Sequence, residues 1–479
     1  MSATPDVDIL VIGAGQAGLS VGYHLRRLGL RPEQDFLIVD HSPGPGGAWQ
    51  FRWPSLTLST VNRVHDLPGM EFAETLPPDA AHAQAATAVP HYFELYEKRF
   101  DLRVHRPVSV AVVCDRATAA TCPNAEVDGL LHAETRVGGE AQEAGDQVAE
   151  GRVPEETGSR VSEGAEGLVT EATGDRVTEV AGDRVSDNPG DRGGGAAGPE
   201  TDHAVDSGPS DAATSRTGRT APAAASDLGG GVPRRVPTPG ATLRVRGLIN
   251  ATGTWDKPFI PYYRGAETFA GRQLHAHDYR AAAEFAGKHV VVVGGGITAV
   301  QLLDEISQVT GTTWVTRREP VFRDGQFAPE DGRAAVAIVE DRVRRGLPPG
   351  SVVSVTGLRE DERVRAMRAR GALRRRPMFD HIEPDGVRWA NGEFQAAEVI
   401  LWCTGFRSAL DHLAPLRLRG PGGGITMDGR LATRVAADPR IHLIGYGPSA
   451  STIGANRAGR AAAVELTEFL GWISPGRLR

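Results

Sequence analysis

The sequence predicts an α/β protein with two Rossmann-like dinucleotide-binding domains, the second of them inserted into the first. An apolar strand, a glycine-rich loop and a helix follow one another twice, about 280 residues apart, and each unit is followed by further apolar strands. A long segment of low complexity lies between the two units. We therefore expect parallel sheets in both domains and a disordered insertion within the first.

The first glycine-rich loop follows the apolar run 7–12. Its three glycines would permit a tight turn, close approach to a pyrophosphate and close packing of helix on strand. The helix N-terminus then offers free N–H groups to phosphate. A second strand ends at an acid 22 residues after the loop, where its carboxylate would accept hydrogen bonds from a ribose. The residues predicted to bind this dinucleotide are Gly13, Ala14, Gly15, Gln16, Ala17, Gly18 and Asp40.

A second glycine-rich segment comes shortly after Asp40 and consists of Gly46, Gly47, Ala48 and Trp49. Glycines here would let the backbone lie along a flat isoalloxazine ring, with the tryptophan packing nearby. We therefore predict that these four residues bind a flavin. A plain surface loop is the alternative interpretation.

The second fingerprint repeats this architecture after the valine-rich run 289–293. Its second strand ends in Arg317 and Arg318, where the first site has an acid. A cationic fork there would hold a 2′-phosphate bidentately, which favours NADPH over NADH. A solvated arginine pair is the alternative. The residues predicted to bind this cofactor, besides the arginines, are Gly294, Gly295, Gly296, Ile297, Thr298 and Ala299.

The remaining elements follow from apolar patterning and turn signals. We predict a helix near 90–100, a return of ordered chain at 243–253, a helix from about 297 to 308 and a strand at 313–316. Asn391-Gly392 predicts a hairpin turn. Buried strands are expected at 399–402 and 441–444, and a last helix from 454 to about 470.

Residues 116–240 are rich in Gly, Ala, Glu, Asp, Thr and Arg, and five tandem octads occupy 148–187. One valine per octad cannot bury enough apolar surface to offset a chain entropy of roughly 1–2 kcal/mol per residue. We expect a disordered insertion. Binding of a partner protein by the insertion is the alternative.

The composition limits the function. The net charge of −7 offers no basic field for nucleic acid. No apolar stretch is long enough to span a membrane, and we expect a cytoplasmic protein. The three cysteines form no C-x-x-C pair and show no metal-ligand spacing, so we predict no metal site and assign any redox chemistry to bound cofactors.

The chain resembles the flavin-containing monooxygenases, the class B flavoprotein monooxygenases. The family pattern F-x-G-x-x-x-H-x-x-x-[Y/F], placed directly before the second fingerprint, is matched by Phe269, Gly271, His275 and Tyr279. The motif Gly46-Gly47-x-Trp49 matches the family's flavin loop. The segments 250–253 and 403–405 are similar to its paired Ala-Thr-Gly-type crossings between domains. The resemblance covers nearly all of the chain outside 116–240.

The resemblance implies FAD on the first fingerprint and NADPH on the second. NADPH would reduce the flavin, O₂ would add at the flavin C4a carbon, and the hydroperoxide would oxygenate a small-molecule amine or thioether. The cofactors would carry out the redox steps, so the protein has to orient cofactors and substrate and to exclude water from the pocket. Two alternatives stay open: Baeyer–Villiger oxidation of ketones, whose enzymes carry Trp where Tyr279 stands, and NADPH oxidase or flavin reductase activity without stable oxygenation.

Individual residues outside the fingerprints are assigned through the same resemblance. Asn62 and His275 are weak catalytic candidates, and a hinge or packing role is the alternative for His275. Thr252 and Gly253 at the first crossing are assigned to cofactor binding. So are Thr452 and Ile453, which begin the last helix, where its dipole would stabilise negative charge on a reduced flavin.

The expected domain limits follow from these assignments. The FAD domain would comprise three parts, the NADPH domain one part and the insertion another. They are 1–115, 241–261 and 406–479 for FAD, 262–405 for NADPH and 116–240 for the insertion.

Overall fold

The strands of the protein form two main parallel sheets. The computed structural model describes residues 4–61, 64–78, 80–116, 127–137, 240–324, 329–350 and 357–474, which all belong to one unit. In chain order the strands are β1 Val7–Ile12, β2 Phe36–Val39, β3 Val108–Cys114, β4 Leu131–Val137, β5 Thr242–Asn250, β6 Arg272–His275, β7 Val290–Val293, β8 Thr312–Thr316, β9 Phe322–Asp324, β10 Leu358–Glu360, β11 Arg375–Pro377, β12 His381–Glu383, β13 Gly386–Arg388, β14 Phe394–Ala396, β15 Val399–Trp402, β16 Met427–Asp428, β17 Arg434–Val435 and β18 Asp438–Leu443.

The α-helices of the described residues follow strands or link the two sheets. They are α1 Gln16–Arg27, α2 Ala85–Arg99, α3 Ile297–Ile306, α4 Pro329–Arg344, α5 Glu362–Ala369 and α6 Thr452–Phe469. The predicted helices near 90–100, 297–308 and 454–470 are therefore confirmed, with limits shifted by a few residues at their ends.

The first sheet has the order β16–β17–β18–β5–β1–β2. Its central strands β18, β5, β1 and β2 are parallel, while β16 and β17 add an antiparallel edge. The strands β3 and β4 form an antiparallel extension on β5. Because β18, β5, β1 and β2 run the same way, their carboxyl ends meet at one edge, and the glycine-rich segments follow these ends.

The second sheet has the order β11–β8–β7–β15–β6, and all of its strands are parallel. Strand β7 shows why a valine run suits this position. Val290 and Val292 pack into one core and Val291 and Val293 into the other, since successive side chains point to opposite faces. The predicted Asn-Gly hairpin is confirmed between β13 and β14, which pair antiparallel beside this sheet.

Strand β4 corrects the expected start of the insertion, because residues 131–137 were assigned to the disordered segment and instead form a strand. Leu131 and Ala133 are fully buried in the core under the first sheet. His132 is also buried, with its Nε2 3.0 Å from an oxygen of Asp128. A few well-placed apolar residues between two partner strands were enough to order a stretch that composition alone assigned to disorder. The octad repeats lie outside the described residues.

Helix α4 lies within the expected NADPH range, yet its C-terminal half packs against the end of the chain. Val343 is buried in the core that contains strands of the first sheet, and Arg344 donates to the carbonyl of Gly429 at 3.0 Å. The assignment of 262–405 as one NADPH domain stays a prediction. Of the helices in the described ranges, none is long and apolar enough to cross a membrane.

Candidate dinucleotide sites and the region between them

The loop after β1 is packed so tightly that two of its glycines cannot be replaced without movement. Gly13 has φ +98°, and a Cβ there would lie 2.6 Å from the carbonyl oxygen of Ala251. A Cβ on Gly18 would lie 1.8 Å from the carbonyl oxygen of Gly13. Helix α1 therefore lies directly against the turn, which directs its N-terminus to the carboxyl edge of the sheet.

Gly15 is different, because neither backbone nor packing requires a glycine there. Its φ of −76° is open to any residue, and no atom lies within 4 Å of an added Cβ. The N-terminus of α1 has no side-chain cap at this residue. The flavin-loop residue Gly47 comes so close that its Cβ would lie 3.0 Å from the Cα of Gly15. Uncapped N–H groups beside open space are what a phosphate needs.

Asp40 lies at the end of β2 and is buried beside the same loop. One of its carboxylate oxygens accepts the N–H of Ala14 at 2.6 Å, and the other accepts the N–H of Ser42 at 2.8 Å. The acid therefore fixes the loop, and each oxygen keeps a lone pair for a ribose hydroxyl. The spacing predicted the place of this carboxylate but not its bond to Ala14.

The other side chains of the first site connect α1 to α6. Gln16 donates from Nε2 to the carbonyl of His65 and to the Oδ1 of Asn456, each at 3.1 Å. Ser451 caps α6 by accepting the N–H of Gly454 at 3.1 Å. Ala17 is buried in the adjoining core. Thr452 and Ile453 begin α6 as expected, but their side chains and the whole of Asn62 lie outside the described residues.

The flavin loop is held against α2. Gly46 has φ +119°, and a Cβ there would lie 2.6 Å from the ring of Pro90. Ala48 and Trp49 continue into a short 3₁₀ helix, Gly47–Phe51. Trp49 is half-buried and packs on the cores of both sheets. The four predicted flavin-binding residues therefore form one rigid segment next to the first fingerprint.

The two crossings are joined to the same stretch of chain. Thr252 donates its hydroxyl to the carbonyl of Ala409 at 2.7 Å, and the N–H of Ala409 donates to the carbonyl of Gly253 at 3.0 Å. Gly405, at the second crossing, accepts the N–H of Phe259 at 3.0 Å. The two segments predicted to cross between the domains are therefore linked by hydrogen bonds to each other's flanking residues.

Below this place the side chain of Asn250 is held by His412. The Oδ1 of Asn250 lies 2.7 Å from the Nε2 of His412, and its Nδ2 donates to Thr252 at 3.0 Å. Burial lowers the pKa of His412 to about 4, opposed in part by Asp411. The ring is therefore neutral at pH 7 and donates its Nε2 proton to Asn250.

This histidine predicts a pH dependence of stability. Because its pKa falls on folding from 6.5 to about 4, the unfolded chain binds the extra proton first, and stability is lost as pH falls from 6.5 to 4. His412→Gln keeps a donor but cannot titrate. We expect the free energy of unfolding, followed by urea denaturation, to depend less steeply on pH in the variant, by up to about 1.4 kcal/mol per pH unit. Equal slopes in the two proteins would contradict the assignment.

The loop after β7 has the same design as the first loop. Gly294 has φ +142°, and a Cβ there would lie 2.3 Å from the carbonyl oxygen of Cys403. A Cβ on Gly295 would lie 3.1 Å from Pro320. Gly296 has φ −97°, no atom within 4 Å of an added Cβ, and no side-chain cap for α3. Ile297 and Thr298 begin that helix, and Ala299, its third residue, is buried.

Arg317 and Arg318 follow β8 and are exposed. Within the described parts of the chain neither side chain has an ion pair or hydrogen bond, whereas Arg375 donates to the hydroxyl of Thr316 at 2.7 Å. Among the described residues, no partner would have to be displaced for the two guanidinium groups to meet a ligand. Their assignment to a 2′-phosphate stays a prediction.

Residues near both ends of the segment 269–279, which precedes the second fingerprint, pack closely against neighbouring elements. A Cβ on Gly271 would lie 2.4 Å from the carbonyl oxygen of Glu398. The Nδ1 of His275 accepts the N–H of His277 at 3.0 Å, and burial lowers the pKa of His275. Tyr279 is buried, and its hydroxyl donates to Glu305 of α3 at 2.8 Å. Tyr279 also lies against Trp53, with ring centroids 6.1 Å apart. The assignment of His275 as a catalytic candidate stays a prediction.

The comparisons with known proteins agree with this geometry. The family model of the pyridine nucleotide-disulphide oxidoreductases matches residues 230–445. The chain is 36% identical over 106 residues to the oxidoreductase CzcO of Bacillus velezensis, covering 22% of this chain and 28% of that protein. It is 33% identical over 163 residues to the senecionine N-oxygenase of Tyria jacobaeae, covering 33% of this chain and 26% of that protein. These matches span less than a third of either relative.

Among solved structures the similarity extends over the whole chain. The flavin-containing monooxygenase of Stenotrophomonas maltophilia is 28% identical with a TM-score of 0.61, covering 97% of this chain and 99% of that one. Fold and comparisons together make the chain similar to the flavin-containing monooxygenases and to the pyridine nucleotide-disulphide oxidoreductases.

Proposed function

We propose that the protein is an NADPH-dependent FAD monooxygenase that oxygenates a small lipophilic amine or thioether by way of a C4a-hydroperoxyflavin. One observation carries the proposal. Gly15 and Gly296, the middle glycines of the two loops, have ordinary φ values and open space around them. The fold does not require glycine at either position, and close approach of a pyrophosphate does.

The chain's own residues supply binding and orientation. The uncapped N–H groups of α1, with Asp40 beside them, would hold FAD, and Gly46 to Trp49 would lie along its ring. The uncapped N–H groups of α3, with Arg317 and Arg318, would hold NADPH. When bound, FAD accepts hydride from NADPH and activates O₂, so that one oxygen atom enters the substrate and the other leaves as water.

The protein also has to bring the two cofactors together. The paired crossings would do so, since Trp255 follows the first and Phe406 the second, and their rings stack with centroids 5.2 Å apart. The flavin loop reaches the same point, because Phe51 stacks on Trp255 at 6.5 Å. Aromatic walls at this junction would exclude water from the reacting groups.

The proposal is tested by reducing the purified holoenzyme with NADPH and mixing it with O₂. We expect a near-UV flavin adduct that persists without substrate and decays faster when an amine or thioether is added. Product and NADPH consumed are expected in a one-to-one ratio. Immediate return of oxidised flavin with stoichiometric H₂O₂ would instead make the protein an oxidase, and lactone or ester formed from a ketone would indicate Baeyer–Villiger chemistry.

A further inference from the structure

A cationic side chain lies at the junction of the two crossings without a counter-charge. Arg52 follows the flavin loop, and its backbone N–H donates to the carbonyl of Trp49 at 3.3 Å. Its guanidinium lies 4.3 Å from the ring centroid of Trp255 and 5.8 Å from that of Trp49. Stacking on two indoles fixes the orientation of the cation.

No residue of the described chain pairs with this cation. Arg52 has no ion pair there, and its Nε is buried without a hydrogen-bond partner. Asp256, the acid next to Trp255 in the sequence, contacts His41 at 3.3 Å instead. Burial lowers the pKa of Arg52 to about 10. Arg52 is partly buried, and its buried Nε has no acceptor, which an anionic ligand would supply.

The contrast with Arg106 lies in the terminal nitrogens, since the Nε of Arg106, like that of Arg52, is buried without a hydrogen-bond partner. Arg106 holds Glu97 with two parallel bonds of 2.8 and 2.7 Å. Arg52 lacks such a partner at the point where the flavin loop and both crossings meet. Its position therefore points to a ligand rather than to the fold.

The indole N–H of Trp255 is a second buried donor without an acceptor among the described residues. Trp255 itself is only 7% exposed. Phe51, Phe406 and His277 pack around its ring, at 6.5, 5.2 and 4.7 Å between centroids. Two donors, one of them charged, between aromatic rings suit a small planar anion attached to an apolar group.

We propose that Arg52 and Trp255 bind the carboxylate of the substrate, so that the enzyme prefers amines or thioethers that carry a carboxylate. A guanidinium can donate two parallel hydrogen bonds to the two oxygens of a planar carboxylate. A lysine ammonium in the same place would act only as a point charge. The phosphates of both dinucleotides already have the uncapped ends of α1 and α3. This inference rests on the proposed function, and it assigns Arg52 as a specificity-determining residue.

The test compares two probes that differ only in charge. Equilibrium dialysis of the oxidised holoenzyme measures binding of 3-(methylthio)propanoate and of its neutral amide, 3-(methylthio)propanamide. We expect the carboxylate to bind at least about 10-fold more tightly, which corresponds to about 1.4 kcal/mol. Arg52→Gln is expected to remove this preference while changing the affinity for the amide less than about twofold. Arg52→Lys should restore part of it.

Further variants keep the result unambiguous. Trp255→Phe keeps an aromatic ring but removes the Nε1 donor together with the five-membered ring of the indole, and is expected to weaken carboxylate binding by about 3- to 10-fold. Arg359→Gln removes the same charge from an exposed position on β10 and is expected to change neither probe.

The outcomes separate the inference from the proposed function. Failure of the wild-type protein to prefer the carboxylate, or an equal loss for both probes in Arg52→Gln, overturns the inference. A variant that instead loses FAD or NADPH affinity assigns Arg52 to a cofactor and also overturns it. If the carboxylate preference holds but neither probe is converted to a sulfoxide, the proposed function fails and the inference stands. If both probes are converted to sulfoxides and bind equally well, the proposed function stands and the inference fails.

Discussion

Gly18→Ala and Gly15→Ala are expected to remove FAD by two different physical routes. In Gly18→Ala the new Cβ would lie 1.8 Å from the carbonyl oxygen of Gly13, so α1 has to move away from the turn. We expect the cofactor-free protein to lose about 2–3 kcal/mol of stability. Purified Gly18→Ala should also contain at least about 10-fold less FAD.

Gly15→Ala provides the matched control, since its Cβ meets no atom within 4 Å and its φ of −76° suits alanine. We expect the stability of the cofactor-free protein to change by less than about 0.5 kcal/mol. The dissociation constant for FAD should still rise at least about 10-fold, because the methyl group occupies the approach of the pyrophosphate. Urea denaturation of the cofactor-free protein and FAD titration measure the two effects separately. Unchanged FAD affinity in Gly15→Ala would contradict the first dinucleotide site.

Replacement of Arg317 and Arg318 together by serine is expected to change the coenzyme preference. Each charge-assisted hydrogen bond to a 2′-phosphate contributes roughly 1.5–3 kcal/mol. We therefore expect kcat/KM for flavin reduction by NADPH to fall about 10- to 100-fold. The value for NADH, which has a hydroxyl in place of the phosphate, should change less than about threefold. Stopped-flow reduction of the bound flavin by each coenzyme gives the ratio directly.

The single variants identify which guanidinium carries the effect, and Arg359→Gln again controls for the loss of a positive charge. An equal loss with both coenzymes would show that the pair orients the nicotinamide nucleotide without reading its phosphate. No loss with either would mean that the arginines are only a solvated pair at the end of β8.

Most of the fold was predictable, because the signals that specify it are local. The strand, glycine-rich loop and helix at 7–27 and 290–306 are read from apolar runs and glycine spacing, and the structure confirms both. Strand β4 was missed because its sequence, LHAETRV, is half polar and lies in a low-complexity context. Only its two partner strands make it a strand.

The candidate site divides in the same way. Spacing predicted which backbone would approach a phosphate, and it placed Asp40 beside the first loop. Spacing did not reveal that the hydroxyl of Tyr279 donates a hydrogen bond to Glu305, since those residues come together only when α3 packs on the 269–279 segment. It also gave no reason to single out Arg52 or Trp255, because their significance is the lack of a partner.

The sequence by itself therefore determined the two strand, glycine-loop and helix units in which the dinucleotide sites are predicted, since a fingerprint needs only a strand, three small residues and a helix in succession. The tertiary structure decided which glycines serve packing and which leave room for a ligand, because that depends on atoms from distant segments such as Ala251 and Cys403. It also decided that Arg52 lies against Trp255 with no ion-pair partner among the described residues, since whether a charge is satisfied depends on every segment that folding brings around it.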